Sequence, residues 1–127
     1  MELGQYRDLF LKESNKQLDG LKQLFSDIEK NPQASDEIKE AMRLAHTLKG
    51  MAGMMSFEKL TKLSQAMEDT LNGFCTSNKP IEKEPLGVFS KGYDTLTALI
   101  KDVEEEKDSN IDVEGIIEEI KAINTSA

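Results

Sequence analysis

The chain has 127 residues, enough for one domain with a buried core, and its 38% apolar and 31% charged residues are ordinary for a globular protein. The formal net charge is -8, with 24 acidic against 16 basic residues and no basic cluster, which argues against nucleic acid and anionic membranes as partners. A single cysteine, Cys75, excludes an internal disulfide and a thiolate zinc site. No signal peptide or membrane-length apolar run is found, so we expect a cytoplasmic protein with a reduced, half-buried thiol.

Apolar residues recur at helical spacing along the whole chain, and neither a strand pattern nor a hairpin turn is present. Five helices are predicted, over approximately 3–30, 36–54, 57–75, 84–106 and 111–123. Because four long amphipathic segments are joined by short connections, we predict an all-α fold, an antiparallel up-and-down four-helix bundle with a short fifth C-terminal helix. The bundle is expected to form one domain that spans residues 1–127.

The first helix carries an apolar stripe that stops before Pro32 and is interrupted by a polar middle around Ser14, which predicts a kink or an exposed stretch. The stripe consists of Leu3, Tyr6, Phe10, Leu21, Leu24, Phe25 and Ile28. In the second helix, Ser35 is the predicted N-cap. The third helix is expected to end near Gly73 or shortly after.

The fourth helix has the most regular repeat, an a/d seam with apolar residues alternately three and four positions apart. This seam consists of Leu86, Phe89, Tyr93, Leu96, Ile100 and Val103. The charged run 104–110 that follows predicts a loop. The short fifth helix carries its own stripe, formed by Val113, Ile116, Ile117, Ile120 and Ile123.

The only histidine, His46, lies in the second predicted helix within the run AHTLKGMAG. On a helical wheel it points away from the apolar stripe, and its own side holds Lys49, Gly50 and Gly53. A glycine inside a helix costs about 1 kcal/mol relative to alanine. The glycines therefore indicate either a helix that ends at Gly50 or a surface cleared for another molecule. Because the stripe continues to Met55, we favour the cleared surface.

Most catalytic classes are excluded by the residues present. One histidine cannot build a zinc or bis-histidine haem site, and no Glu-x-x-His pattern of a di-iron bundle occurs. No glycine-rich phosphate loop precedes a helix, and no Ser or Cys is singled out beside His46 as part of a triad. We therefore expect no metal and no cofactor in this domain. The remaining chemistry is a histidine that acts alone as nucleophile and group carrier.

The run that begins at His46 resembles the signature of histidine phosphotransfer domains, and more narrowly that of the N-terminal phosphotransfer domain of CheA-type chemotaxis histidine kinases. Phe57, Leu60 and Glu68 extend the similarity, and the five-helix layout covers nearly the whole chain. Ser56 departs from the family pattern, which generally has glycine between the second and third helices. Serine is a good N-cap for the third helix but tolerates a positive φ less well than glycine.

The resemblance implies a role for each polar residue near the histidine. His46 would accept a phosphoryl group on Nε2 from ATP held by a separate kinase domain, and would pass it to an aspartate of a response regulator. Glu68 would accept a hydrogen bond from Nδ1 and so orient the imidazole. Lys49 would neutralise charge on the phosphoryl group. The resemblance places the domain in a two-component signalling system, in which Gly50 and Gly53 would provide access for the partner's active site.

Met54 lies near the histidine face and is predicted to contribute to docking. The resemblance further implies a phosphoacceptor domain without its own ATP site, a fragment of a larger histidine kinase and a monomer in isolation. The expected partners are a CheA-type kinase catalytic domain and response-regulator receiver domains. Two alternatives stay open. The first alternative is a free-standing phosphotransfer protein of a multistep phosphorelay. The second is a helical adaptor in which His46 is incidental.

Overall fold

The computed structural model describes residues 3–126, apart from the side chain of Leu3. It contains five helices, α1 (Leu3–Lys30), α2 (Ser35–Met54), α3 (Glu58–Ser77), α4 (Lys83–Glu104) and α5 (Glu114–Lys121). No strand occurs within 3–126, so the predicted all-α class is confirmed. Met1, Glu2 and Ala127, which the predicted domain includes, lie outside the described residues.

The first four helices form the predicted antiparallel bundle. α1 packs against α2 and α4, and α3 packs against the same two neighbours, so the four helices close a ring around one core. The most extensive pairing is between α2 and α3. α5 lies across α3 and α4 and covers that side of the bundle.

The apolar stripes of all five helices meet in a single buried core. Phe89 on α4 lies at its centre, with its ring 5.9 Å from that of Phe25 on α1 and 6.2 Å from that of Phe74 on α3. Burying an aromatic or aliphatic side chain of this size stabilises the fold by about 1.5–3 kcal/mol. The predicted α4 seam is confirmed, because Leu86, Leu96 and Ile100 are buried as well.

α1 departs from the sequence pattern at two places. The helix continues without interruption through its polar middle, where Ser14 is buried and donates its hydroxyl hydrogen bond to the Leu11 carbonyl at 3.3 Å. The buried hydroxyl is therefore satisfied within the helix. Tyr6, predicted to be part of the core stripe, is 48% exposed. Phe10, one turn later, fills the core at that level instead, with its ring 5.0 Å from that of Phe57.

Neither serine predicted as an N-cap performs that function. Ser35 is already the first residue of α2, and Ala34 occupies the cap position without a side-chain hydrogen bond. Ser56 terminates α2 instead, in the left-handed region with φ 60°. There its N–H donates to the Gly53 carbonyl and the next N–H donates to the Ala52 carbonyl. These two bonds form a Schellman motif, which satisfies carbonyls at the helix end and requires a positive φ at Ser56.

Three other helix ends also differ from prediction. α3 continues past Gly73 to Ser77, and α4 ends at Glu104, two residues early. A Cβ on Gly73 would lie 2.5 Å from Thr125 Oγ1, so this glycine makes room for the C-terminal segment. α5 begins only at Glu114, and in the loop before it the carbonyls of Ser109 and Ile111 accept hydrogen bonds from Lys59 Nζ.

Within residues 3–126, no helix combines the length and the apolarity needed to cross a membrane.

Candidate functional site

His46 lies in the middle of α2 on its outer surface. The two core positions that flank it, Ala45 and Leu48, are buried and fix the helix against the bundle. The imidazole points the other way, and its side chain is 64% exposed. A rigid helix therefore presents one ring to solvent, as the wheel predicts.

Glu68 reaches the imidazole from α3. Its Oε2 atom lies 2.8 Å from His46 Nδ1, and the Glu68 side chain is only 18% exposed. An ionised carboxylate can only accept hydrogen bonds, so this contact assigns the proton of the neutral ring to Nδ1. The lone pair is then left on Nε2, the nitrogen that is free of any contact with Glu68.

Lys49 contacts the other oxygen of the same carboxylate. Its Nζ atom lies 2.8 Å from Glu68 Oε1, and its side chain is 24% exposed. Burial raises the pKa of Glu68, but the hydrogen bonds and charges of Lys49 and His46 outweigh it and leave that pKa below the ordinary value of 4.5. Glu68 is therefore ionised at neutral pH and bridges the histidine and the lysine.

Both glycines predicted to clear the surface belong to α2: the helix continues past Gly50, and Gly53 is the residue before its last, Met54. Gly50 and Gly53 are exposed, and a Cβ placed on either would meet no atom within 4 Å. The fold therefore does not require glycine at these two positions. The surface of α2 beside His46 is open at both positions.

The model of the Hpt domain family matches residues 5–121. The chain belongs to this family. Among curated proteins this Hpt domain is 28% identical over 121 residues to the chemotaxis protein CheA of Halobacterium salinarum, a match that covers 95% of the chain and 18% of the relative. It is 26% identical over 113 residues to CheA of Bacillus subtilis (89% and 17% covered). It is 32% identical over 108 residues to the sensor histidine kinase CheAY of Helicobacter pylori (84% and 13% covered).

The Hpt domain spans less than a fifth of the length of these curated relatives. No solved structure matches it. The family is the one predicted from the run at His46. The roles of His46, Glu68 and Lys49 stay predictions, although the structure brings the three side chains together.

Met54, the predicted docking residue, ends α2 and is 88% exposed, which places a large apolar side chain in solvent. Two further apolar residues of the Hpt domain, Tyr6 and Leu9, are exposed, which was not predicted from the sequence. Leu9 lies off the core stripe of α1, and this position on the helical wheel could have indicated its exposure. The contact between Lys49 and Glu68 was also missed, because it depends on the register of α2 against α3.

Cys75 is half-buried, as predicted, on a later turn of α3. Burial raises the pKa of its thiol, and the charge of Lys39 only partly opposes this. The thiol is therefore a poor nucleophile at neutral pH. Among the described residues of the Hpt domain, no three His, Cys, Asp or Glu side chains are grouped so that they could hold a metal ion.

Proposed function

We propose that this Hpt domain is a phosphoryl carrier of a chemotaxis two-component system. His46 accepts the γ-phosphoryl group of ATP bound to a CheA-type kinase catalytic domain, and passes it to an aspartate of a response-regulator receiver domain. The observation that carries the proposal is the 2.8 Å contact between His46 Nδ1 and Glu68 Oε2. It orients an exposed imidazole with its nucleophilic nitrogen outward, which a helical adaptor has no need to do.

In the proposed reaction, the lone pair of His46 Nε2 attacks the γ-phosphorus of ATP. The Nε2–P bond forms while the bond between the γ-phosphorus and the bridging oxygen breaks, and ADP leaves with that electron pair. The ring then carries a proton on Nδ1 and a phosphoryl group on Nε2, and is formally cationic. The Glu68 carboxylate, already hydrogen-bonded to Nδ1, balances this positive charge.

Lys49 acts together with Glu68 and His46. Because its ammonium group pairs with Glu68 Oε1 at 2.8 Å, it keeps the carboxylate ionised and fixes its position. The ammonium group carries more than one N–H, so we propose that it also faces the incoming phosphoryl oxygens, as the sequence suggested. Transfer to a receiver is the reverse chemistry, in which an aspartate carboxylate oxygen attacks the phosphorus and His46 Nε2 is the leaving group.

Both transfers require the partner's active site to close over the imidazole. Gly50 and Gly53 present no side chain beside it, so a partner can approach Nε2 along the outer surface of α2. The named similarity to CheA relatives supports a kinase catalytic domain as donor and a receiver as acceptor.

The test is phosphorylation by a CheA kinase core that lacks its own phosphotransfer domain, with labelled ATP. We expect stoichiometric label on the wild-type domain that is acid-labile and base-stable, and none on His46→Gln. The matched control is Thr47→Ala, an exposed neighbour that should label normally. Full labelling of His46→Gln would refute the assignment. Label that arrives only from phosphorylated receivers, never from the kinase core, would instead identify a carrier of a multistep phosphorelay.

A further inference from the structure

Ser64 on α3 carries a buried hydroxyl that the proposed mechanism does not use. The residue is fully buried, and within residues 3–126 its Oγ atom has no hydrogen-bond partner. Other helical hydroxyls of this fold donate to a carbonyl of the preceding turn, as those of Thr61 and Ser77 do. A buried polar group without a partner is unfavourable and rare, so the hydroxyl of Ser64 needs an explanation.

Glu68 carries an acceptor on the same face of α3. It lies four positions after Ser64, and residues four apart on a helix lie one above the other, with about 5–6 Å between their Cβ atoms. A long helical side chain leans back over the preceding turn, so the Glu68 side chain leans toward Ser64. This face is turned toward α2, since Glu68 contacts His46 and Lys49 there. A change of side-chain rotamer therefore brings the hydroxyl within hydrogen-bond distance of the carboxylate.

The Oε1 atom of Glu68 has room for such a bond. This atom is buried, and among the described residues it is paired with Lys49 Nζ at 2.8 Å and accepts no further hydrogen bond. A carboxylate oxygen carries more than one lone pair, so part of its acceptor capacity is unused. In the proposed reaction Lys49 also faces the phosphoryl oxygens, which carry more negative charge than a carboxylate. When the ammonium group turns to them, Oε1 loses its partner and, being buried, cannot replace it with water.

We propose that Ser64 is a positioning residue that holds the Glu68 carboxylate while His46 carries the phosphoryl group. The Ser64 hydroxyl rotates to donate to Glu68 Oε1 when Lys49 moves to the phosphoryl oxygens, so that Oε2 stays on Nδ1 of the cationic ring. This inference rests on the proposed function. Ser64 acts through Glu68 and does not touch the phosphoryl group. Before phosphorylation Lys49 holds Oε1, and the hydroxyl is without a partner, as observed.

The alternative role for Ser64 is that of a small residue that lets α3 pack closely on α2. Alanine would serve that role equally well, and it would remove an unsatisfied hydroxyl from the core. The chain does use alanine at other small core positions, including Ala41, Ala45 and Ala66. Close packing therefore explains the size of Ser64 but not its hydroxyl.

The first test measures the equilibrium of phosphorylation. Wild type, Ser64→Ala and Ser14→Ala are incubated with a CheA kinase core that lacks its own phosphotransfer domain, at a fixed ratio of labelled ATP to ADP, until the label is constant. We expect Ser64→Ala to lower the ratio of phosphorylated to free domain about fivefold, because a buried acceptor is left without a partner. Ser14→Ala removes an equally buried serine hydroxyl from α1 and should match wild type. An unchanged ratio in Ser64→Ala would overturn the inference.

The second test needs no kinase and reads the tautomer of the single imidazole by ¹⁵N NMR in mildly alkaline buffer. With Lys49 present, Ser64→Ala should leave the ratio of Nδ1–H to Nε2–H unchanged. In a Lys49→Met background, Ser64 becomes the donor that holds Oε1. Adding Ser64→Ala there should shift the ratio about fivefold toward Nε2–H, whereas adding Ser14→Ala should not. Equal ratios with and without Ser64→Ala in the Lys49→Met background would overturn the inference, since a packing role does not move the tautomer.

Failure of the inference and failure of the proposed function give different results. If the wild-type domain accepts no phosphoryl group from the kinase core, the proposed function fails, while the tautomer ratios still show whether Ser64 reaches Glu68. If wild type and Ser64→Ala are phosphorylated to the same extent, the proposed function stands and the role of Ser64 is refuted.

Discussion

Removing the Glu68 carboxylate should slow phosphorylation of His46 while leaving the open outer surface of α2 intact. Glu68→Ala deletes the 2.8 Å hydrogen bond to Nδ1 and the ion pair with Lys49. A hydrogen bond to a charged group contributes about 1.5–3 kcal/mol, and the 64% exposure of His46 reduces this to about 1 kcal/mol. Loss of 1 kcal/mol shifts the ratio of the two neutral tautomers about fivefold away from the reactive one. Loss of the ring's orientation should lower the rate further. Removing the group that accepts a hydrogen bond from a metal-bound histidine typically lowers metal affinity or activity about 10- to 100-fold.

We therefore expect kcat for phosphorylation by the kinase core to fall about 5- to 100-fold, with KM for the domain unchanged. Glu68→Gln is the matched variant, since its amide oxygen still accepts from Nδ1 but cannot balance a cationic ring, and it should give an intermediate rate. Circular dichroism checks that helicity is retained. A kcat within twofold of wild type, or an effect confined to KM, would refute the orienting role of Glu68.

The same carboxylate makes stability depend on pH. Because its pKa is lowered in the folded state, Glu68 stabilises the domain fully above the ordinary value of 4.5, and this contribution is lost as the pH falls through the lowered pKa. Thermal unfolding of wild type and Glu68→Gln should therefore differ at pH 7 and converge in acid. A difference that grows below pH 4.5 would contradict this sign.

Three further substitutions test other parts of the account. Gly50→Leu should block transfer from the kinase core while stabilising the helix by about 0.8 kcal/mol, and normal transfer would refute the clearance argument. Ser56→Gly should raise the free energy of unfolding by about 0.5–1 kcal/mol, because a left-handed residue with a Cβ is strained; an unchanged denaturation midpoint would count against the strain at φ 60°. Lys59→Met should cost about 1–2 kcal/mol through its two lost hydrogen bonds to carbonyls, and equal stability in urea would show that they contribute nothing.

Much of the fold could be predicted from the sequence, because the apolar spacing of each helix is a local property. The helix ends were less predictable, since distant contacts decide them. Gly73 is typical of a helix end, yet α3 continues to Ser77, and the missing side chain of Gly73 instead leaves room for Thr125. The residues before α5 continue a helical pattern, yet they form a loop in which the Ile111 carbonyl accepts a hydrogen bond from Lys59 of α3.

The candidate site was predictable only in part. The outward direction of His46 and the cleared space at Gly50 follow from the periodicity of one helix. Glu68 lies 22 positions away, so no spacing rule connects it to His46, and only the family resemblance did. The contact of Lys49 with Glu68 depends on how α2 packs against α3, which the sequence of a single chain does not specify.

The most direct test of the central claim is the protonation of the one imidazole in this chain. Because His46 is the only histidine, a long-range ¹H–¹⁵N NMR spectrum of the ¹⁵N-labelled protein contains a single ring and needs no assignment. In mildly alkaline buffer the neutral ring should carry its proton on Nδ1, and phosphorylation should place phosphorus on Nε2. A ring protonated mainly on Nε2, or phosphorylated on Nδ1, would contradict the role given to Glu68 and with it the proposed mechanism.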